Sequence, residues 1–108
     1  MQVLKFGGTS VGKPERMHAV AQLITADAAP KIVILSALSG TTNALVEIGQ
    51  SLAECNRQKA KSQIDKLEAH YHEFCKTLVH TPEALQKAKE VIIEHFEFLN
   101  VILKISFN

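Results

Sequence analysis

No excess of charge of either sign runs through this chain: 12 Lys and Arg stand against 11 Asp and Glu, a net charge of +1. Holding a nucleic-acid backbone or an anionic membrane surface needs a field that such a balance does not create, so neither partner is expected. A small anion needs only a local cluster. Cysteine is scarce as well. Cys55 and Cys75 both fall in segments that read as helical, have no metal-ligand spacing and follow no signal peptide. That favours a reduced, cytoplasmic protein over a disulfide-bonded one. No apolar run approaches the roughly 18 residues of a membrane span. The dinucleotide fingerprint G-x-G-x-x-G is also missing.

What is there first is the run Lys5-Phe6-Gly7-Gly8-Thr9-Ser10-Val11-Gly12, in which a short apolar strand ends in a lysine and a glycine pair. Val3, Leu4 and Phe6 supply the strand, read over Gln2 to Phe6. Adjacent glycines let the backbone turn tightly and bring N–H groups close to an anion. Lys5 adds a mobile positive charge, and Pro14 suits the first position of a helix whose N-terminal dipole end favours phosphate.

Met17, Val20, Ala21 and Ile24 then repeat at helical spacing over Pro14 to Asp27, and Lys31 to Ser36 reads as a second strand. Its unbroken apolar run, Ile32 to Leu35, is that of a strand buried on both faces by helices. Strand, helix and strand form a βαβ unit with parallel strands and a right-handed crossover. The second strand runs into Ser36-Ala37-Leu38-Ser39-Gly40-Thr41-Thr42-Asn43, a hydroxyl-rich loop before a helix through Leu45, Val46, Ile48 and Leu52. Both loops leave the carboxyl ends of their strands, the edge of an open parallel sheet where ligands bind.

From Arg57 the pattern changes. Ile64, Leu67, Tyr71, Phe74 and Leu78 keep a 3, 4, 3, 4 spacing that draws one apolar stripe along a helix. Thr81-Pro82-Glu83 is a helix start, and Leu85, Ala88, Ile92, Phe96, Leu99 and Leu103 continue the stripe on a second helix, so the two are expected to pack as an antiparallel hairpin. Two strands are too few for a stable sheet. With Val101, Ile102, Leu103, Ile105 and Phe107 crowded at the end and no stop signal after them, the chain is expected to be a piece of a larger protein.

Gly7 through Lys13 matches the first seven positions of the P-loop G-x-x-x-x-G-K. The next position must be Ser or Thr to hold Mg²⁺, and Pro14 has no hydroxyl. Lys5-Phe6-Gly7-Gly8-Thr9-Ser10 instead resembles the N-terminal signature of aspartokinases, in the amino acid kinase family. Val33-Ile34-Leu35-Ser36-Ala37-Leu38-Ser39-Gly40-Thr41-Thr42-Asn43 looks like that family's second motif. The resemblance is specific over Val3 to Asn43, whereas from Ser51 onward it rests on a similar helical layout. It implies an α/β fold: part of the three-layer αβα, carbamate kinase-like domain, with residues 1–108 as the incomplete N-terminal part of the catalytic domain and no ACT regulatory domain.

The resemblance also implies a reaction: transfer of the ATP γ-phosphoryl group to the side-chain carboxylate of L-aspartate, giving 4-phospho-L-aspartate, the first step toward lysine, threonine and methionine. A carboxylate of pKa about 3.9 is already ionised at neutral pH, so no general base is needed and catalysis reduces to positioning and charge neutralisation. Lys5 and the N–H groups of Gly7 and Gly8 suit that second task. By resemblance Thr9 and Ser10 lie along the phosphate loop, while Ser36 and Thr42 hold aspartate. The plainer readings are a solvated lysine for Lys5, a turn for Gly7 and Gly8, a strand end for Ser36 and a helix cap for Thr42. Mg²⁺ would arrive with ATP. His70 and His72 point to different faces, and His18, His80 and His95 share no ligand spacing with them, so no protein-bound metal is expected. The implied partners are ATP, L-aspartate and, in the full-length protein, further copies of itself. The 108 residues alone are expected to be inactive; the alternatives are another amino acid kinase with a different carboxylate acceptor, or a non-catalytic helical assembly module.

Overall fold

The computed structural model describes residues 1–107 and is mixed α/β, with one two-stranded parallel sheet and four helices. The chain divides into two compact units, Met1–Thr41 and the part from Thr42 onward.

The first unit is the expected βαβ: β1 (Gln2–Phe6), α1 (Pro14–Ile24) and β2 (Lys31–Leu35). The strands pair in parallel with Val3 opposite Ile32 and Lys5 opposite Ile34. Pro14 opens α1, but the helix ends at Ile24, three residues before the expected Asp27. Thr25 turns its hydroxyl back to the Ala21 carbonyl at 2.8 Å. The Asp27 carboxylate accepts from the Ala29 N–H at 2.9 Å, and such side-chain turns compete with a further helical turn. Lys31 then closes the helix end: its Nζ donates to the Ile24 carbonyl at 2.8 Å and to Asp27 Oδ1 at 3.1 Å, a cation at the negative end of the helix dipole. The Ala29 N–H, and then Lys31, hold the Asp27 carboxyl below its ordinary pKa.

Residues two apart share a sheet face. Leu4, Phe6, Lys31 and Val33 are half-buried on the α1 side, where Phe6, Val20 and Leu23 line one cleft. Val3, Lys5, Ile32 and Ile34 lie on the other face and are exposed, Ile32 and Ile34 by nearly half. Leu35, at the end of β2, is exposed too. The expectation that β2 is buried on both faces is therefore wrong for this chain. An apolar run reports a strand made for two covered faces, and this unit supplies a helix for one.

The second unit is helical: α2 (Thr41–Ala53, whose first residue closes the first unit), α3 (Arg57–Leu78) and α4 (Pro82–Ser106). Two local devices set its corners. At the end of α2 the Asn56 N–H reaches the Ser51 carbonyl at 2.9 Å and the Cys55 N–H reaches Leu52 at 3.1 Å, a Schellman closure. Its left-handed position is Cys55, with φ 57°. Asn56 then caps α3 by accepting from the Lys59 N–H at 3.1 Å, and Thr81 caps α4 by accepting from Ala84 at 3.2 Å. Cysteine pays a steric penalty at positive φ that glycine avoids. Cys55→Gly is expected to stabilise the protein by about 1 kcal/mol, a rise in Tm of roughly 4–8 °C for a domain of this size, read by thermal circular dichroism.

α3 and α4 form the expected antiparallel hairpin, with Lys61 Nζ 3.1 Å from Asn100 Oδ1 and the Tyr71 and Phe96 rings edge-on at 5.9 Å. Ile48, Ala60, Ile64, Leu67, Ile92, Phe96 and Leu103 make one buried core, with Leu52, Tyr71 and Leu99 packed against it. The one buried polar side chain among the described residues, Ser51, lies 2.7 Å from Gln63 Oε1 and 3.1 Å from the Glu47 carbonyl. α4 carries a second stripe: Val91, Phe98, Ile102 and Ile105, spaced 7, 4 and 3 apart, are exposed. The apolar crowding at the end of the sequence belongs to two faces of one helix.

Candidate functional site

The first unit brings its two loops together at the carboxyl ends of β1 and β2. Within the β1–α1 loop the Gly7 carbonyl accepts from the N–H groups of Ser10 at 3.0 Å and Val11 at 3.3 Å, and Thr9 accepts from Gly12 at 3.4 Å. Val11 is buried beneath the loop. Arg16, in the first turn of α1, reaches back with Nη1 to the Thr9 carbonyl at 3.0 Å. The carbonyls are thereby turned inward. The N–H groups of Gly7, Gly8 and Thr9 donate to no protein acceptor among the described residues, leaving three successive donors for solvent or an anion.

Gly8 is where the loops approach. A Cβ there would lie 3.6 Å from the Ala37 carbonyl oxygen, 3.7 Å from Ser39 Cα and 3.9 Å from Ser36 Oγ. Gly12 is tighter, since a Cβ would come to 2.9 Å from the Gly8 carbonyl oxygen and 3.0 Å from Ser39 Cβ. Gly7 has open space on that side, and neither Gly7 nor Gly8 has a positive φ. The steric need for glycine that the sequence places on the Gly7-Gly8 pair therefore falls on Gly12. Gly40, with φ +86°, turns the second loop, where the Thr41 N–H donates to the Leu38 carbonyl at 3.1 Å. Gly12→Ala is expected to push the loops apart at a cost of about 1–3 kcal/mol. Gly7→Ala should change stability by less than about 0.5 kcal/mol. Thermal denaturation of the two variants compares them directly.

Lys5 is exposed at the carboxyl end of β1, on the sheet face opposite α1, and its side chain has no hydrogen bond or ion pair among the described residues. Ser36 follows β2 directly and is exposed; its N–H continues the ladder to the Phe6 carbonyl at 3.0 Å. Thr9 and Ser10 sit on the first loop, Ser10 half-buried. Gly7, Gly8, Thr9, Ser10 and Ser36 thus share one loop cluster, with Lys5 two residues before it. Thr42 stands exposed in the first turn of α2 and belongs to the second unit. Arg16 and Ser39 escaped the sequence reading. Arg16 sits seven residues beyond the carbonyl it holds, a distance that only the loop geometry closes.

Among the described residues no group of three or more His, Cys, Asp or Glu side chains is placed to hold a metal ion. No helix is long and apolar enough to cross a membrane. Both cysteines are free thiols, and burial pushes the Cys75 thiol above its ordinary range, away from nucleophilic use.

No protein-family model matches the chain. Curated relatives do. Aspartokinase 2, chloroplastic, of Arabidopsis thaliana is 38% identical over 105 residues, 94% of this chain and 18% of its own length. Lysine-sensitive aspartokinase 3 of Escherichia coli is 44% identical over 50 residues, 46% of this chain and 11% of its own. A Haemophilus influenzae protein, provisionally named an inactive aspartokinase 3, is 41% identical over 59 residues, 55% of this chain and 49% of its own. The chain spans less than a fifth of the length of the plant relatives that match nearly all of it. The chain is a homologue of the aspartokinases, corresponding to a part of such a protein.

Proposed function

We propose that this chain supplies the phosphate half of an aspartate kinase site, within the three-layer αβα amino acid kinase fold. The observation that carries the reading is the loop pair: three successive unspent N–H groups at Gly7, Gly8 and Thr9, beside Ser36, at the carboxyl edge of a parallel ladder. The similarity to aspartokinases supplies the chemistry.

In the reaction a side-chain carboxylate oxygen of L-aspartate forms a bond to the γ-phosphorus of ATP. The bond to the β,γ-bridging oxygen breaks, and its electron pair leaves on ADP. No proton moves, because the acceptor is already ionised. Lys5 and the loop N–H groups neutralise charge on the transferring phosphoryl oxygens, with Thr9 and Ser10 along the loop. Ser36 and Thr42 orient aspartate. Mg²⁺ enters as part of the ATP substrate.

Half a site positions only half of the reactants, so the 108 residues alone are expected to release no ADP in response to aspartate. A coupled ADP-release assay tests this, and aspartate-dependent turnover at an ordinary enzymatic rate would overturn it. In a protein of the relatives' length carrying these residues, aspartate rather than glutamate is expected to drive ADP release. A preference for glutamate would move the chain to another amino acid kinase. The bared stripe of α4 favours a second reading, a helical assembly module whose loops are relics. Absence of aspartate-dependent ADP release from a protein of the relatives' length carrying these residues would support that reading.

A further inference from the structure

Three carbonyls in the β1–α1 loop decide where its N–H groups point. A trans peptide carries its C=O and the following N–H on opposite sides of one plane, and all peptide bonds among the described residues are trans. The Gly7 carbonyl is taken inward by the N–H groups of Ser10 at 3.0 Å and Val11 at 3.3 Å, so the Gly8 N–H faces the other way. The Gly8 carbonyl lies over Gly12, where a Cβ would come to 2.9 Å from its oxygen, and the Thr9 N–H is turned outward in the same manner. The third plane, between Thr9 and Ser10, is held at both ends. Its N–H is the donor to Gly7, while its carbonyl accepts from the Gly12 N–H at 3.4 Å and from Arg16 Nη1 at 3.0 Å. Arg16 makes the shorter of these two bonds, and its donor is permanently charged.

We propose that Arg16 is a positioning residue of the phosphate loop: by holding the Thr9 carbonyl it keeps the Ser10 N–H on Gly7, and through Gly7 it aims the Gly8 N–H at the anion. The assignment rests on the phosphate reading of this loop and adds to it a residue that lies on α1, outside the loop. Arg16 makes no ion pair among the described residues, so no carboxylate competes with the Thr9 carbonyl for its guanidinium. Val11, buried beneath the loop, anchors the next residues. A loop free to turn its peptide planes must be ordered by the ligand, at a cost in affinity, whereas a loop already held spares the ligand that ordering. Lys13 separates this role from a general effect of charge. It precedes α1 by one residue and is exposed, and its side chain has no hydrogen bond or ion pair among the described residues. It carries the same charge as Arg16 but holds no carbonyl of the loop.

The test titrates the ¹⁵N-labelled 108-residue chain and its Arg16→Met and Lys13→Met variants with Mg·ATP, read at the Gly8 and Thr9 amides, and measures amide hydrogen exchange without ligand. Methionine keeps an unbranched apolar stem in the cleft that Arg16 shares with Val20 and Leu23 and removes the donor. Because Arg16 is exposed, the thermal midpoint should stay within about 1–2 °C. Arg16→Met is expected to weaken Mg·ATP binding about three- to tenfold and to speed exchange at Ser10 at least about threefold. Lys13→Met should weaken binding less than about twofold, as expected of a screened surface charge, and leave exchange at Ser10 unchanged. Equal losses of affinity in the two variants would reduce Arg16 to one cation in a positive field and overturn the assignment. Unchanged affinity in Arg16→Met would overturn it too and leave the phosphate reading standing. Lost affinity with Ser10 exchange unchanged would make the guanidinium a direct phosphate contact, which also contradicts the positioning role. Amides that stay still in the unsubstituted chain would defeat the phosphate reading and this assignment with it.

Discussion

Lys5→Ala, made in a protein of the relatives' length that carries these residues, is expected to lower kcat for aspartate phosphorylation by about 10²- to 10³-fold, with little change in the KM for aspartate. Phosphoryl transfer to an ionised carboxylate needs no base, so charge neutralisation carries most of the catalysis. A cation acting on the transferring group costs kcat when removed. A cation that only held the acceptor would cost KM. The fold does not depend on the Lys5 side chain. Lys5 is exposed and its side chain makes no hydrogen bond or ion pair among the described residues, so its truncation should leave the thermal midpoint within about 1–2 °C. An unchanged kcat would remove Lys5 from the site.

Ile64→Ala is expected to have the largest effect on stability. Ile64 is 1% exposed and belongs to the core shared by α2, α3 and α4. Truncation there removes the transfer free energy of the lost methyl groups and leaves a cavity, about 2–5 kcal/mol together. A helical unit of this size has a total stability of only a few kcal/mol, at about 0.05–0.15 kcal/mol per residue. Much of the helical signal in circular dichroism should therefore be lost at 37 °C. Phe98→Ala is the matched control. It deletes a larger side chain from the same unit, but Phe98 is 66% exposed, and the expected change is within about 0.5 kcal/mol. Equal destabilisation by the two substitutions would contradict the placement of the core on one stripe of α4.

The elements that sequence periodicity reads well here are those whose causes are local. β1 occupies Gln2–Phe6 as expected, Thr81 caps α4, and the 3, 4 spacing from Ile64 to Phe74 marks the face that packs. What the sequence hides depends on residues distant along the chain, or on partners that a pattern cannot name. The run Ile32 to Leu35 signals a strand suited to two covered faces, but not whether this chain supplies both covers. Asp27 and Thr25 are compatible with helix until Lys31 is seen closing the end of α1. Cys55 holds a left-handed position that propensity assigns to glycine or asparagine. In the loops, the lysine and glycines were visible as a motif, whereas the tight position at Gly12 and the clamp from Arg16 appear only when Ser39 and the Thr9 carbonyl are placed beside them.

The β1–α1 loop is proposed to receive phosphate. The most direct measurement of this is a titration of the ¹⁵N-labelled 108-residue chain with Mg·ATP, followed at the backbone amides of Gly7, Gly8 and Thr9. With half of the site present, binding in the millimolar range is expected. Those three amides should shift together, and Lys5→Ala should weaken the response. Amides that stay still at tens of millimolar Mg·ATP, or that shift equally in the Lys5→Ala chain, would contradict the account.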